Sequence, residues 1–188
     1  MQKLRSNVVN YDDGKHERKI GRYWASDIYS IAKGYLRVGN FFDRSKINEE
    51  GCLNIDMGMA LEENLERILT HPANKTPHKY NPKYVLDIFE GATITVKPDF
   101  EFKTSVLETK APKVITKEIP EKWMYQLEAE HRATGKEVWL GVFRNDPLRR
   151  DTMPDCYLYT PSDERWNYSL KVLSTFHDKL IKKYGKTK

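Results

Sequence analysis

The stretch Val96-Lys97-Pro98-Asp99-Phe100-Glu101-Phe102, followed after Lys103-Thr104 by Ser105-Val106-Leu107-Glu108-Thr109-Lys110, decides how this chain is read. From Thr93 to Phe102 the residues alternate, with Ile94 and Val96 on one side and Thr93, Thr95, Lys97 and Asp99 on the other. That is the pattern of a strand. Ser105 to Lys110 is a second, shorter strand. Glu108 and Lys110 are two residues apart, so their side chains leave the same face. Joined as a hairpin through Lys103-Thr104, the strands set Asp99 directly across from Glu108. Two carboxylates and an ammonium then share one face of a small sheet. Like charges opposed across strands destabilise a ladder unless something neutralises them. A hard divalent cation does so, since magnesium takes oxygen ligands from one or two carboxylates and keeps several waters.

Upstream, a helix is expected from Asp56 to Thr70, stopping before His71-Pro72. At 100° per residue, Met57, Ala60, Leu61, Leu65, Ile68 and Leu69 fall in one apolar arc. Glu63 and Glu66 point away from it into solvent. Glu62 lies on its flank and is the helix glutamate able to reach in beside a sheet. Ser26 reads as the cap of a short helix, Asp27 to Lys33, ended by Gly34. The stretch His71 to Lys83 carries Pro72, Pro77 and Pro82 and reads as a loop, with His71 and His78 on the surface. Tyr84 to Phe89 is a strand.

Downstream, Pro120 to Thr134 reads as a helix capped by Gly135, and Val138 to Phe143 as a buried strand. Another strand follows at Cys156 to Tyr159. Thr160-Pro161-Ser162-Asp163 opens a last helix with Pro at its first position, and this helix carries Trp166, Leu170, Leu173, Phe176, Leu180 and Tyr184 along one stripe. This order predicts an α/β fold with a mixed central β-sheet flanked by helices. Glu101 shares the face of Asp99 and reads as a solvated strand residue.

Composition bounds the function. The 188 residues suit one domain, 1–188, and 39% hydrophobic against 31% charged residues is the balance of a water-exposed globular chain. No apolar run approaches the roughly 20 residues needed to span a bilayer, and the N-terminus lacks the apolar core of a secretion signal. A cytoplasmic location with no membrane partner is therefore expected. Two cysteines, Cys52 and Cys156, cannot supply a four-thiolate zinc or iron–sulfur site. The net charge of +5 is uneven: from Arg165 to Lys188 there are seven basic residues and one acid, Asp178, leaving 25 basic and 26 acidic residues before them. A basic C-terminal helix and tail on a near-neutral body points to a polyanionic partner or to a solubilising tail.

Pro98-Asp99 followed by Glu108-x-Lys110 resembles the PD-(D/E)XK motif of the restriction-endonuclease-like nuclease superfamily. Gly58-Met59-Ala60-Leu61-Glu62 resembles the upstream G-x-x-x-E helix of its phage-type exonucleases. Gln126 resembles the glutamine of the Q-x-x-x-Y helix in RecB-like members. Ser26-Asp27-Ile28 resembles the first helix of RecB-like and CRISPR-adaptation exonucleases. The likeness spans residues 22 to 143, with the order of elements intact. Two positions depart from the RecB-like pattern: Glu62 replaces a histidine and Glu130 replaces the tyrosine.

The resemblance implies a restriction-endonuclease-like core and a metal-dependent DNA nuclease, more specifically an exonuclease without an iron–sulfur cluster. It implies Mg²⁺ or Mn²⁺ held by Glu62, Asp99, Glu108 and the Thr109 carbonyl, with Lys110 orienting the attacking water and Gln126 holding substrate or Lys110. Lys15, Arg18, Lys19, Arg22 and the C-terminal lysines become candidate phosphate contacts. Trp24, Tyr23 and Trp123 are candidates for base stacking. A homo-oligomer or a recombination-protein partner fits the same family. The competing expectation is an inactive nucleic-acid-binding or interaction protein on the same fold.

Overall fold

Pro98 breaks the long strand that alternation predicts, because it has no N–H to give to a ladder. In this computed structural model, which describes residues 18–43, 49–112, 118–143 and 153–185, the chain changes sheet across Lys97–Asp99. In chain order the elements are β1 (Arg22–Trp24), α1 (Asp27–Ala32), a 3-10 turn (Val38–Asn40), α2 (Glu49–Thr70), β2 (Lys79–Tyr80), β3 (Tyr84–Phe89) and β4 (Ala92–Val96). They continue with β5 (Phe100–Glu101), β6 (Ser105–Lys110), α3 (Glu121–Thr134), β7 (Glu137–Val142), β8 (Asp155–Leu158) and α4 (Asp163–Tyr184). The expected single strand from Thr93 to Phe102 is thus two strands in two sheets. One sheet runs β1-β4-β3 and the other β2-β5-β6-β7-β8.

The β5–β6 hairpin keeps the expected register, with Phe100 opposite Leu107 and Glu101 opposite Val106. Asp99 falls one residue beyond that ladder. β6 and β7 are parallel, with Glu108 opposite Leu140. Parallel neighbours need a crossover, and α3 supplies it. β1 also runs parallel to β4. Its entry requires Gly21 at φ +84°, where a Cβ would meet the Gly91 carbonyl oxygen at 2.2 Å.

Three apolar clusters hold these layers. Ile28, Tyr23, Ile94, Val96, Leu173 and Leu180 fill the space between the three-stranded sheet, α1 and α4. Val106, Val138 and Leu140 pack on Leu127 of α3. Leu65 of α2 packs on Phe100, Leu107 and Phe143. α3 ends as expected at Gly135, in the left-handed conformation.

Other expectations shift. α2 begins at Glu49, well before Asp56, since Gly51 and Gly58 lower helix propensity without preventing a helix. The Ser26 side chain makes no capping bond. Asp27, the first helical residue, instead ties down the chain entering the helix, accepting the Trp24 N–H at 3.0 Å and both Arg18 guanidinium nitrogens at 2.9 Å. At α4 the cap is Ser162, whose hydroxyl accepts the Arg165 N–H at 3.2 Å, so Pro161 precedes the cap. Among the described residues no helix is long and apolar enough to cross a membrane.

Candidate active site

β6 carries the site because its two faces meet two different helices. Val106 packs against α3 and Leu107 against α2. Alternation then sends Glu108 and Lys110 toward α3 and Thr109 toward α2. On the α3 side, Gln126 Nε2 donates to Glu108 Oε1 at 2.6 Å and to Glu130 Oε1 at 3.0 Å. The Lys110 ammonium pairs with the same Glu108 oxygen. At the strand's edge, the Thr109 N–H and hydroxyl both donate to Asp99 Oδ2, at 2.7 and 2.6 Å. These are short bonds to one carboxylate oxygen, and they fix Asp99 beside Glu108 although no ladder reaches it.

Glu62 approaches from α2 and is half-buried. Burial pushes its carboxyl above the usual range and Glu108 adds to the push, while Lys110, Lys97 and Thr109 draw it back. Asp99 is pushed up to about 8 by burial, then by Glu108 and Glu62, against the Thr109 hydrogen bond and Lys110. Glu130, fully buried, is held well above the carboxylate range by burial and then by Glu108. Burial alone would lower Lys110, yet the adjacent Glu108 outweighs it and keeps the ammonium charged. Four carboxyl groups therefore crowd one ammonium in a largely dry place.

That crowding tests the expected metal. Among the described residues, no three His, Cys, Asp or Glu side chains converge closely enough to grip an ion by themselves. Magnesium asks for less, since one or two carboxylates and several waters suffice. Glu108 is 3% exposed and its Oε2 has no hydrogen-bond partner among the described residues. A buried carboxylate oxygen left bare is costly, and a cation beside Asp99 and Glu108 would relieve it. The donor set fits a hard divalent ion.

Asp99, Glu108, Thr109, Lys110, Gln126 and Glu62 are thus gathered where two strands and two helices meet. Glu130 belongs to the same cluster, and the helical spacing of four from Gln126 is the signal that points to it. Glu101 differs from expectation: it is buried, held by Lys136 at 2.6 Å and Lys79 at 3.0 Å, and these bonds draw its carboxyl down to about 2. The strand break turns it away from Asp99. Glu66 and His78 also differ, since the His78 side chain is 5% exposed and pairs with Glu66. Tyr23 is 1% exposed with its hydroxyl 2.8 Å from His177 Nδ1, so it is a core residue rather than a stacking platform. Trp24 and Trp123 are half-buried. Arg18 is committed to Asp27, Lys19 and Arg22 are exposed, and Lys15, Lys186 and Lys188 lie outside the described residues.

No protein-family model and no curated protein matches the chain. Solved structures do. An alkaline exonuclease from Laribacter hongkongensis is similar over 87% of this chain and 90% of its own, with a TM-score of 0.63 at 16% identity. The same enzyme in complex with dAMP gives a TM-score of 0.64. A phage-related exonuclease from Haemophilus somnus is similar over 86% of this chain and 96% of its own, with a TM-score of 0.56 at 13% identity. At these identities the likeness establishes the fold: a mixed α/β core of the kind these nucleases have.

Proposed function

We propose that the chain is a metal-dependent DNA nuclease of the PD-(D/E)XK type, acting as an exonuclease. The observation that carries this reading is the convergence of Asp99, Glu108, Lys110 and Gln126 at the end of β6, with Glu108 Oε2 buried and bare. The shared fold with two exonucleases, one of them solved with dAMP, supports DNA as the substrate and a chain end as the point of attack.

Asp99, Glu108 and Glu62, with the Thr109 carbonyl, are the oxygen donors that would hold Mg²⁺ or Mn²⁺. Such an ion, when bound, makes water acidic enough to attack near neutral pH and offsets charge on the phosphate. The remaining work falls to side chains. Thr109 fixes the Asp99 carboxylate in one orientation through two hydrogen bonds to Oδ2. Lys110 stays charged and, as a compact ammonium, orients the nucleophilic water and balances the phosphate. Gln126 holds Glu108 in place through its amide. Burial of Asp99, Glu108 and Thr109 strengthens each of these electrostatic contacts.

The test is hydrolysis of end-labelled linear, circular and single-stranded DNA with Mg²⁺, Mn²⁺ or EDTA. The expected result is loss of terminal label from linear DNA with metal and none with EDTA or from circles. Asp99→Ala and Lys110→Ala should each lower the rate by about 100-fold or more with unfolding transitions retained. Full activity in either variant would overturn the assignment, and cleavage of circles would overturn the exonuclease reading.

A further inference from the structure

Tyr80 is an exposed aromatic ring held rigidly at the rim of the carboxylate cluster. It sits on β2 opposite Phe100, and the two ring centroids are 5.3 Å apart. Phe100 is fully buried in the α2 cluster, whereas Tyr80 is 38% exposed. The tyrosine therefore leans on the core through Phe100 while part of the side chain meets solvent. Its neighbours pin it from both sides. The Asn81 N–H donates to the Asp99 carbonyl at 2.7 Å. His78 is held by the Thr76 carbonyl at 2.7 Å and by Glu66, one helical turn beyond Glu62 on α2. Lys79, on the opposite face of β2, is taken by Glu101. The segment thus offers the site an aromatic face.

We propose that the exposed face of Tyr80 is the platform on which the base of the terminal DNA nucleotide stacks while its phosphodiester lies at Asp99 and Glu108. This rests on the nuclease reading above and adds to it a base-binding subsite. Stacking suits the role because every base has a π-face, so the subsite grips a chain end without reading sequence. A ring already ordered against Phe100 loses little freedom when a base lands on it.

The experiment is a cycle between side chain and base. Binding is measured for DNA with hydrolysis-resistant phosphorothioate ends, carrying either a normal or an abasic terminal nucleotide, in Mg²⁺. Tyr80→Leu should raise Kd about tenfold for the normal end, the scale of one lost base stack, and leave Kd for the abasic end unchanged. Tyr80→Phe, which keeps the ring, should bind as the parent does. A terminal 2-aminopurine should be quenched on the parent protein and not on Tyr80→Leu. Equal weakening of both DNAs, or of neither, would overturn the proposal while leaving the nuclease reading intact. Failure of the parent protein to bind DNA ends at all would overturn both.

Discussion

Glu130 shows what the site asks of a single residue. It is fully buried, one oxygen accepts from Gln126, and the other has no hydrogen-bond partner among the described residues. By holding one amide hydrogen of Gln126, it turns the other toward Glu108. The carboxyl is thus useful for orientation and poor for stability. Glu130→Gln keeps the volume and removes a buried acid, so metal-free protein should gain about 1 kcal/mol or more in urea unfolding. Glu130→Leu removes the acceptor, frees Gln126 to turn, and should lower kcat about tenfold with KM little changed. Loss of stability in the glutamine variant, or a KM effect alone in the leucine variant, would refute this account. Glu108 and Lys110 could be placed together from the sequence because a strand's period sets residues two apart on one face, whereas Asp99 lies outside the ladder and is brought in by its two Thr109 hydrogen bonds. The spacing of four ties Glu130 to Gln126, but its approach to Glu108 was not legible, because Glu108 comes from another element and only packing brings them together. Glu101 misled for the converse reason, since alternation carried past Pro98 assigns it the wrong surroundings.

At the scale of elements, the segment between α2 and β3 is held partly by the His78–Glu66 pair. His78 has acceptors at both ring nitrogens, the Thr76 carbonyl and Glu66, and such a ring is satisfied only when doubly protonated. Burial alone would lower His78, but the Thr76 bond and Glu66 outweigh it and raise its pKa above 6.5. A group raised in the folded state contributes stability that is whole below the unfolded value near 6.5 and is lost as pH climbs through the folded value. The parent protein should therefore exceed His78→Gln in stability at pH 5.5 by more than at pH 8.5, as read from urea midpoints. A difference that grows with pH would refute the pairing. Most element boundaries could be read from the sequence: β3 and β6 match, and α3 ends at Gly135. These are marked by local chemistry, proline, glycine and alternation. The partition into two sheets was not legible, because a strand's choice of sheet is decided by long-range pairing.

Over the whole molecule, charge is unevenly divided. The candidate active edge gathers Glu62, Asp99, Glu108 and Glu130 around Lys110, while the surplus lysines collect toward the end of α4, at Lys179, Lys182 and Lys183. An acidic edge repels a phosphate backbone, so under the proposed function the approach of DNA depends on cations held elsewhere on the surface. Each lysine that meets a phosphate contributes about one unit to the slope of log K against log salt. Replacing Lys182 and Lys183 by alanine should therefore flatten that slope by about two units and weaken binding without regard to sequence. Hydrolysis of saturating DNA should stay near the parent rate, because neither residue touches the carboxylate cluster. Tyr80→Leu makes the opposite prediction, a weaker complex with an unchanged salt slope, since stacking releases no counterions. If the double lysine variant leaves the slope unaltered, the basic end of α4 does not meet DNA, and its charge serves solubility alone.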